Sequence, residues 1–376
     1  MTDPAVMPHR RFTALDVFRG VTIFLMIVVN TAGPGAPAFV QLVHAKWFGF
    51  TLADAIFPSF LFAMGNAMSF ALRRRVETGV YLHGLLRRGA VIFVLGYLMY
   101  WFPFVQHGAA GWGFKPFALT RVPGVLQRLA LCYVLAGVLV RWLSVRQVIA
   151  AAVALLLAYW ALLEFGAPAG MAFDKYANIG TRIDLALLGP GHLYKKDAGF
   201  DPEGLLGTLP AVVNVLAGYL AGLAVQRGAD LAATVRRMGA AGVVLICLGL
   251  AWSPWFPIAK KLWTGSYVLL TVGIDLIALG GLIALIEIAG RRVWTRFFLI
   301  LGRNPLAIYL FSELFVTVLN LIPAGDVGGV YDWVGIRVFQ ALAPGAVGSL
   351  LCALAYTLVC WAVGWWLDRR GLILKA

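Results

Sequence analysis

A histidine and an aspartate, ten residues apart at the mouth of a long apolar run, are the side chains best suited to chemistry in this sequence. They are His44 and Asp54, in VHAKWFGFTLADAIFPSF (residues 43–60). A carboxylate that accepts a hydrogen bond from one imidazole nitrogen fixes the tautomer and leaves the other nitrogen as a base. His44 could then deprotonate an amine or a hydroxyl, or attack a thioester itself. The alternative is local: Asp54 caps or pairs within its own segment, and His44 is a solvated loop residue.

Basic side chains near or inside apolar segments form a second set of candidates. Arg121 and Arg128 in RVPGVLQRLAL are seven residues apart, hence on one helical face, and Arg303 precedes Asn304 in LGRNPLAIYL. The planar fork of arginine suits phosphate. Snorkelling towards the membrane surface would explain Arg121, whereas Arg128 lies deeper and needs a partner.

Three polar residues of the first apolar segment have simpler explanations. Asp16 and Arg19 in LDVFRG lie on one helical face and are expected to pair with each other. Asn30, at the far end of that segment, is expected to make an interhelical hydrogen bond. Charges within a span are nevertheless costly enough that each counts as a functional hypothesis.

A polar loop precedes another apolar segment in GHLYKKDAGFDPEGLLGTLPA. Its second half predicts a helix start, with Asp201 as the N-cap, Pro202 at the first helical position and Glu203 in the first turn. His192 and Tyr194 lie in the same loop, where either could contact a polar ligand.

The composition of the chain shows which elements must position these residues. Its 376 residues are 61% hydrophobic, which is more apolar surface than a soluble core can bury. Apolar stretches of about 20 residues recur along the whole length. The sequence therefore predicts an all-α polytopic membrane protein, with a single domain over residues 1–376. About ten transmembrane helices are expected, near residues 15–34, 52–72, 89–106, 119–140, 147–165, 205–226, 238–256, 264–289, 297–321 and 345–367.

The formal charge of +14 would suit a nucleic-acid partner, but the placement of the charges favours another explanation. With the N-terminus inside, the short inner loops hold 18 of the 31 basic residues. An excess of Lys and Arg in short cytoplasmic loops sets the orientation of membrane proteins. Both termini are therefore expected to be cytoplasmic, and no nucleic-acid partner is expected.

Cysteine usage and the first apolar segment exclude some other classes. The four cysteines lie in apolar runs and none has a CxxC spacing, so neither disulfides nor a zinc site is expected. No small-residue cleavage site follows the first apolar segment, which is interpreted as the first span rather than as a signal peptide.

Six segments together resemble the heparan-alpha-glucosaminide N-acetyltransferase family. They appear in the order of the family and extend over nearly the whole chain. The segments are LDVFRGVTIFLMIVVN, HAKWFGFTLADAIFPSFLFAMG, RVPGVLQRLAL, GHLY with DPEGLLGTLPA, KKLWTGSYVL and GRNPLAIYLFSELF.

The resemblance implies a catalytic role for three residues. His44 occupies the position of the catalytic histidine of the family's H-A-x-W segment. Asp54 matches the aspartate of the T-x-A-D step, and Asn30 matches the asparagine that closes the first span. The family moves an acetyl group from cytosolic acetyl-CoA to a sugar amine on the far side of the membrane, and its bacterial members imply a multi-pass protein of the inner membrane.

Charge and resemblance together imply the binding residues. Acetyl-CoA is expected as the acyl donor, and no metal is expected. The residues expected to contact acetyl-CoA are Arg121, Gln127, Arg128, Arg303 and Asn304. The acceptor, an amino sugar or sugar hydroxyl of a periplasmic glycan, is expected to contact His192, Tyr194, Asp201, Glu203, Lys261 and Trp263. Relative to the animal members, the chain is expected to lack a luminal domain and a leading span, and its outer loop is shorter, so its acceptor pocket should differ. Membrane lipids surround the chain, and a homodimer is one option for its assembly.

Two other classes of protein stay open at this point. In a transporter of an anionic or sugar-like solute, the buried arginines would clamp the substrate, although no internal repeat of the kind common in transporters is evident. A purely structural scaffold would leave the intramembrane charges unexplained. The identity of the acceptor, the acyl chain length, and the choice between an acetyl-histidine intermediate and direct transfer are also open.

Overall fold

The fold was obtained as a computed structural model that describes residues 12–71, 77–108, 111–197 and 199–374. The described residues are mostly helical. The helices are α1 Thr13–Asn30, α2 Leu52–Ala71, α3 Thr78–Trp101, α4 Val125–Trp142, α5 Val145–Gly166, α6 Ile179–Leu188, α7 Thr208–Arg227, α8 Leu231–Trp252, α9 Gly265–Ile283, α10 Thr295–Arg303, α11 Pro305–Leu321, α12 Val330–Trp333, α13 Gln340–Leu342 and α14 Ala346–Arg369. One antiparallel hairpin joins β1 Val105–Gly108 to β2 Gly111–Phe114.

The long helices confirm the prediction of an all-α polytopic membrane protein. Eight of the described helices are long and apolar enough to cross a membrane. They are α1, α3, α4, α5, α7, α8, α9 and α14. The span of α9 includes the helical turn that follows it, to Ile288. A ninth span results if α10 and α11 are taken together, although the pair is bent by 82°. Pro305 begins α11, and its missing N–H removes the hydrogen bond that would continue α10 across the bend.

Helix α2 is the one described helix that was expected as a span and is not among these nine. It has 20 residues, with Asp54, Pro58 and Asn66 among them, so its composition is less apolar than that of the others. It packs against α1, α4, α7 and α9. A helix covered by protein does not need an apolar surface all round to be stable, which is why α2 tolerates these polar residues.

Helices α2 and α7 approach each other backbone to backbone. A Cβ atom added to Gly65 would lie 1.9 Å from the carbonyl oxygen of Val215, and one added to Gly218 would lie 1.9 Å from that of Phe62. Small residues allow such close approach between membrane helices. The contact sets the position of α2 relative to α7, and therefore the relative position of the loops that precede them.

The loops before α2, α4, α7 and α9 meet at one end of the bundle. The indole Nε1 of Trp47 donates to the carbonyl oxygen of Phe173 at 3.0 Å, and the Gly49 amide donates to that of Ile258 at 2.8 Å. These are loops that the charge pattern predicts to be outside. The expected pair within α1 is also present, with Arg19 Nη2 at 3.4 Å from Asp16 Oδ1.

Candidate active site

A cavity of about 560 Å³ lies where these loops meet. Six of the fourteen residues predicted to act in catalysis or binding line it: Asn30, His44, Arg121, Tyr194, Glu203 and Lys261. They come from segments far apart in the sequence, and the folding of α1, α2, α4, α7 and α9 brings them together. This cavity is therefore the candidate active site.

His44 and Asp54 form the predicted pair. His44 Nδ1 lies 3.0 Å from Asp54 Oδ1. The second carboxylate oxygen, Oδ2, accepts hydrogen bonds from the Ala45 amide at 3.2 Å, the Thr51 amide at 3.0 Å and the Thr51 hydroxyl at 3.0 Å. An ionised carboxylate can only accept, so Nδ1 of His44 carries the proton in this contact, and Nε2 is the ring nitrogen that the carboxylate does not engage. Because Asp54 also binds the backbone before α2, the local role and the histidine-orienting role are both present.

The environment of the pair is asymmetric. The Asp54 side chain is fully buried, whereas that of His44 is 42% exposed, on the cavity wall. The Tyr267 hydroxyl donates to the carbonyl oxygen of Asp54 at 2.6 Å, which ties the start of α2 to α9. The Asp54 carboxylate is buried and its hydrogen bonds are made within the protein, whereas the imidazole of His44 is partly exposed. The imidazole is therefore the group of the pair that can contact a ligand.

Lys260 was missed by the sequence analysis, and it contacts the pair directly. Its Nζ lies 3.0 Å from His44 Nδ1, 3.1 Å from His44 Nε2 and 3.7 Å from Asp54 Oδ1. The only signal in the sequence was the pair of lysines in KKLW, of which the analysis selected Lys261. Lys261 instead donates to Asp197 at 2.7 Å, a carboxylate that Lys175 also binds at 2.6 Å.

Arg121 lines the cavity with its charge already balanced. It makes a bidentate contact with Asp201, at 2.8 Å from Nε and 2.5 Å from Nη2, and also binds Glu203 at 2.5 Å. The guanidinium lies between the rings of Tyr100 and Tyr194, 5.0 and 4.5 Å from their centroids. A phosphate at Arg121 would therefore have to compete with two carboxylates.

Glu203 is held ionised by the basic groups around it. Burial alone would raise the pKa of Glu203, but Arg121, Arg128 and Lys260 outweigh burial and lower the pKa below its usual value. The cavity wall thus carries fixed charges of both signs.

The predicted helix start at Asp201 is wrong, because α7 begins at Thr208. The Asp201 carboxylate binds Arg121 and accepts the Glu203 amide at 2.9 Å. Residues 201–207 form turns instead of a helix. The turns pass close to other groups: a Cβ at Gly204 would lie 1.9 Å from the Asp184 carboxylate, and one at Gly207 would lie 2.7 Å from Arg128 Nη2.

Arg128 is buried beneath this turn and Gln127 is buried against Gly96 of α3, so neither lines the cavity. Arg128 Nη2 donates to the carbonyl oxygen of Gly204 at 2.8 Å, and the guanidinium lies 4.9 Å from the ring centroid of Trp263. Its Nε and Nη1, and the side-chain amide of Gln127, have no hydrogen-bond partner among the described residues. Trp263 is itself buried and donates from Nε1 to Asn214 Oδ1 at 3.1 Å. Arg128 therefore contacts the turn that carries Glu203 and not the cavity itself.

Arg303 and Asn304 are not brought to the cavity. Arg303 pairs with Asp368 at the end of α14. The Asn304 amide nitrogen donates to the carbonyl oxygen of Leu372 at 2.9 Å, and its oxygen accepts from the Leu374 amide at 2.8 Å. These two residues tie the bend between α10 and α11 to the end of α14 and the segment after it.

His192 is likewise outside the lining: its Nδ1 lies 2.8 Å from the carbonyl oxygen of Thr120, to which it donates.

Asn30 makes the interhelical hydrogen bond that was expected. Its amide nitrogen donates to Glu313 Oε1 of α11 at 2.9 Å, and both residues line the cavity. Glu313 was missed by the sequence analysis, although a carboxylate in the apolar run LFSELF is a signal that could have found it. No group of three or more metal-ligating side chains is assembled in the described ranges.

Comparison with known proteins identifies relatives of the chain. The catalytic-region profile of heparan-alpha-glucosaminide N-acetyltransferase matches residues 11–249. The human protein of that name is 27% identical over 361 residues, which covers 81% of this chain and 53% of the human protein. The mouse protein is 26% identical over 360 residues, with the same coverage. The chain thus spans about half the length of these relatives.

Proposed function

Because this chain belongs to the heparan-alpha-glucosaminide N-acetyltransferase family, we propose that it is a membrane-embedded acetyltransferase. It moves an acetyl group from acetyl-CoA to the amine or hydroxyl of a sugar. The observation that carries the proposal is the pairing of His44 with the buried Asp54 on the wall of a 560 Å³ cavity. Such a pair presents an imidazole nitrogen suited to general-base or nucleophilic catalysis.

The charges of the cavity support an anionic donor and a polar acceptor in one site. Lys46, Lys260 and Lys261 line it as basic groups, and Glu203 and Glu313 line it as acids. Ammonium groups favour the phosphates of acetyl-CoA, and a carboxylate accepts hydrogen bonds from the amine and hydroxyl groups of a sugar. We place the acceptor on the periplasmic side of a bacterial inner membrane and the entry of acetyl-CoA on the cytoplasmic side.

His44 performs the proton transfer in the direct route. Its Nε2 accepts the proton of the acceptor amine as the amine nitrogen forms a bond to the thioester carbonyl carbon. The carbon–sulfur bond then breaks, and the proton passes from Nε2 to the leaving thiolate. Asp54 stabilises the imidazolium that forms in between, through the Nδ1–H hydrogen bond. In the covalent route, Nε2 attacks the carbonyl carbon first, the carbon–sulfur bond breaks and the CoA thiolate leaves. The amine nitrogen then bonds to the acetyl carbon as the bond from that carbon to Nε2 breaks, and the amine proton passes to Nε2.

The proposal predicts that His44→Ala abolishes transfer. A general base contributes about 10²–10⁴-fold in rate, so a single turnover with labelled acetyl-CoA and an amino-sugar acceptor should fall by at least about a hundredfold. His83→Ala is the matched control, because His83 is an exposed residue of α3 outside the cavity. Near wild-type transfer by His44→Ala would overturn the proposal.

The labelling assay and a measurement of thermal stability separate the remaining alternatives. Labelled protein that accumulates in the wild type without acceptor would favour the covalent route. Acetyl-CoA at micromolar concentration should raise the melting temperature of the wild type by mass action. A melting temperature unchanged by acetyl-CoA, with neither transfer nor release of CoA, would instead favour a transporter of an anionic or sugar-like solute.

A further inference from the structure

Lys260 touches His44 in a geometry that is not that of an ordinary hydrogen bond. Its Nζ is almost equidistant from the two ring nitrogens, at 3.0 and 3.1 Å. The lone pair of Nε2 and the N–H of Nδ1 point away from each other in the ring plane, so an atom this close to both nitrogens lies on neither axis. The ammonium group therefore sits against the face of the imidazole and leaves the in-plane direction of Nε2 open.

Lys260 and His44 share one carboxylate. Lys260 Nζ is 3.7 Å from the same Asp54 oxygen that His44 Nδ1 contacts at 3.0 Å. The Lys260 side chain is 13% exposed and that of Asp54 is fully buried, so water screens these charges poorly. With a neutral imidazole the three groups carry no net charge, whereas protonation of His44 would place two cations in contact over a single anion.

We propose that Lys260 is a positioning residue whose ammonium group keeps the His44 imidazole unprotonated, with Nε2 available to act. The inference rests on the proposed function, because it assigns a role to Lys260 through His44. It also explains why a lysine is buried at this point: Asp54 alone would stabilise an imidazolium, and the cation opposes that stabilisation.

The charge state of Lys260 defines the pH range in which this effect operates. Burial lowers the pKa of Lys260 to about 8, although Asp54 and Glu203 act in the opposite direction and Lys261 reinforces the lowering. Below that pH the ammonium form is present and disfavours a second cation. Above it Lys260 is largely neutral and no longer opposes protonation of His44. The effect should thus appear on the acid side alone.

The pH–rate profile of Lys260→Met tests the proposal. We expect the acid limb of the single-turnover profile to move to higher pH by about one unit or more. A nearby positive charge disfavours protonation of the imidazole, and Lys260→Met removes that charge. Transfer near pH 6 should fall about tenfold, and the variant and wild-type profiles should converge above pH 8. Lys260→Arg keeps the charge and should restore the wild-type limb. Lys175→Met is the control, because Lys175 is a cation outside the cavity lining that pairs with Asp197 and does not contact His44.

An equal loss of rate at all pH values in Lys260→Met would overturn the proposal and leave a structural role. The proposal would also be overturned if the acid limb of Lys260→Arg coincided with that of Lys260→Met.

A second measurement does not depend on transfer. Diethylpyrocarbonate acylates the neutral imidazole but not the imidazolium. Its rate of reaction at the His44 side chain, followed by mass spectrometry against pH, therefore reports the protonation of His44. The midpoint should move to higher pH in Lys260→Met and stay in place in Lys260→Arg. If that shift is found in a protein that transfers no acetyl group, the proposed function fails while the role of Lys260 stands. An unmoved midpoint overturns the role of Lys260 whatever the activity.

Discussion

At the scale of single residues, Asp54 has two tasks that need the same ionised carboxylate. One oxygen receives the His44 N–H, and the other receives the Thr51 amide and hydroxyl at the start of α2. A buried anion with this many donors is stable. The side chain that contacts the imidazole is therefore held in place by the first turn of the helix that contains it.

Asp54→Asn should impair transfer severely while leaving the protein folded. The amide oxygen can still accept from Thr51, but the amide nitrogen turned towards His44 would stabilise the wrong tautomer, as it does in serine-protease triads. We expect the single-turnover rate to fall by at least about a hundredfold. Asp326→Asn, at an exposed carboxylate paired with Arg337, is the control. A rate within threefold of the wild type would exclude the orienting role of Asp54.

At the scale of elements, the contact between α2 and α7 determines how the His44–Asp54 pair faces the turn at 201–207. The close approach at Gly65 and Gly218 leaves no room for a side chain. Neither glycine has an unusual backbone conformation, so the requirement comes from packing alone.

Gly218→Ala should destabilise the bundle strongly. The new Cβ would lie 1.9 Å from the Phe62 carbonyl oxygen, and backbone atoms of two packed helices cannot move apart locally. Overpacking typically costs about 1–3 kcal/mol and occasionally more, so the melting temperature in detergent should fall clearly. Gly239→Ala in α8, where no atom lies within 4 Å of the new Cβ, should be neutral or slightly stabilising because alanine favours a helix. Equal melting temperatures for the two variants would contradict this account of the α2–α7 contact.

At the scale of the whole molecule, the orientation in the membrane decides which compartment the cavity faces. The cavity is built from the loops before α2, α4, α7 and α9. The arginine bias predicts that these loops are outside and that both termini are cytoplasmic. The acceptor compartment follows from that orientation.

Cysteine labelling tests the orientation directly. In a background without the four native cysteines, Val40→Cys should react with an impermeant reagent added to intact cells, because Val40 is 77% exposed in a predicted outer loop. Val293→Cys, at a residue that is 99% exposed in a predicted inner loop, should react only after the inner face is opened. The reverse pattern would place the cavity on the cytoplasmic side.

Much of the fold and part of the site could be predicted from the sequence. Helix-length apolar runs predict spans because each must match the bilayer, and the pairing of His44 with Asp54 was expected as one of two alternatives. The helix start at Asp201 was predicted wrongly, since its cap signals are local whereas Arg121, far away in the sequence, takes the carboxylate. Arg128 and Arg303 were grouped by charge, which carries no information on where a side chain points.

By itself, the sequence determined that this is a helical membrane protein with polar residues in its spans, because hydropathy is a property of each segment alone. Only the tertiary structure decided which of those residues share a cavity. Lys260 and His44 are 216 residues apart, and Asn30 and Glu313 are 283 apart. Two adjacent lysines in KKLW look alike in sequence, yet Lys260 contacts the imidazole while Lys261 binds Asp197. The difference arises from the packing of α2, α7 and α9, which fixes the direction each side chain faces.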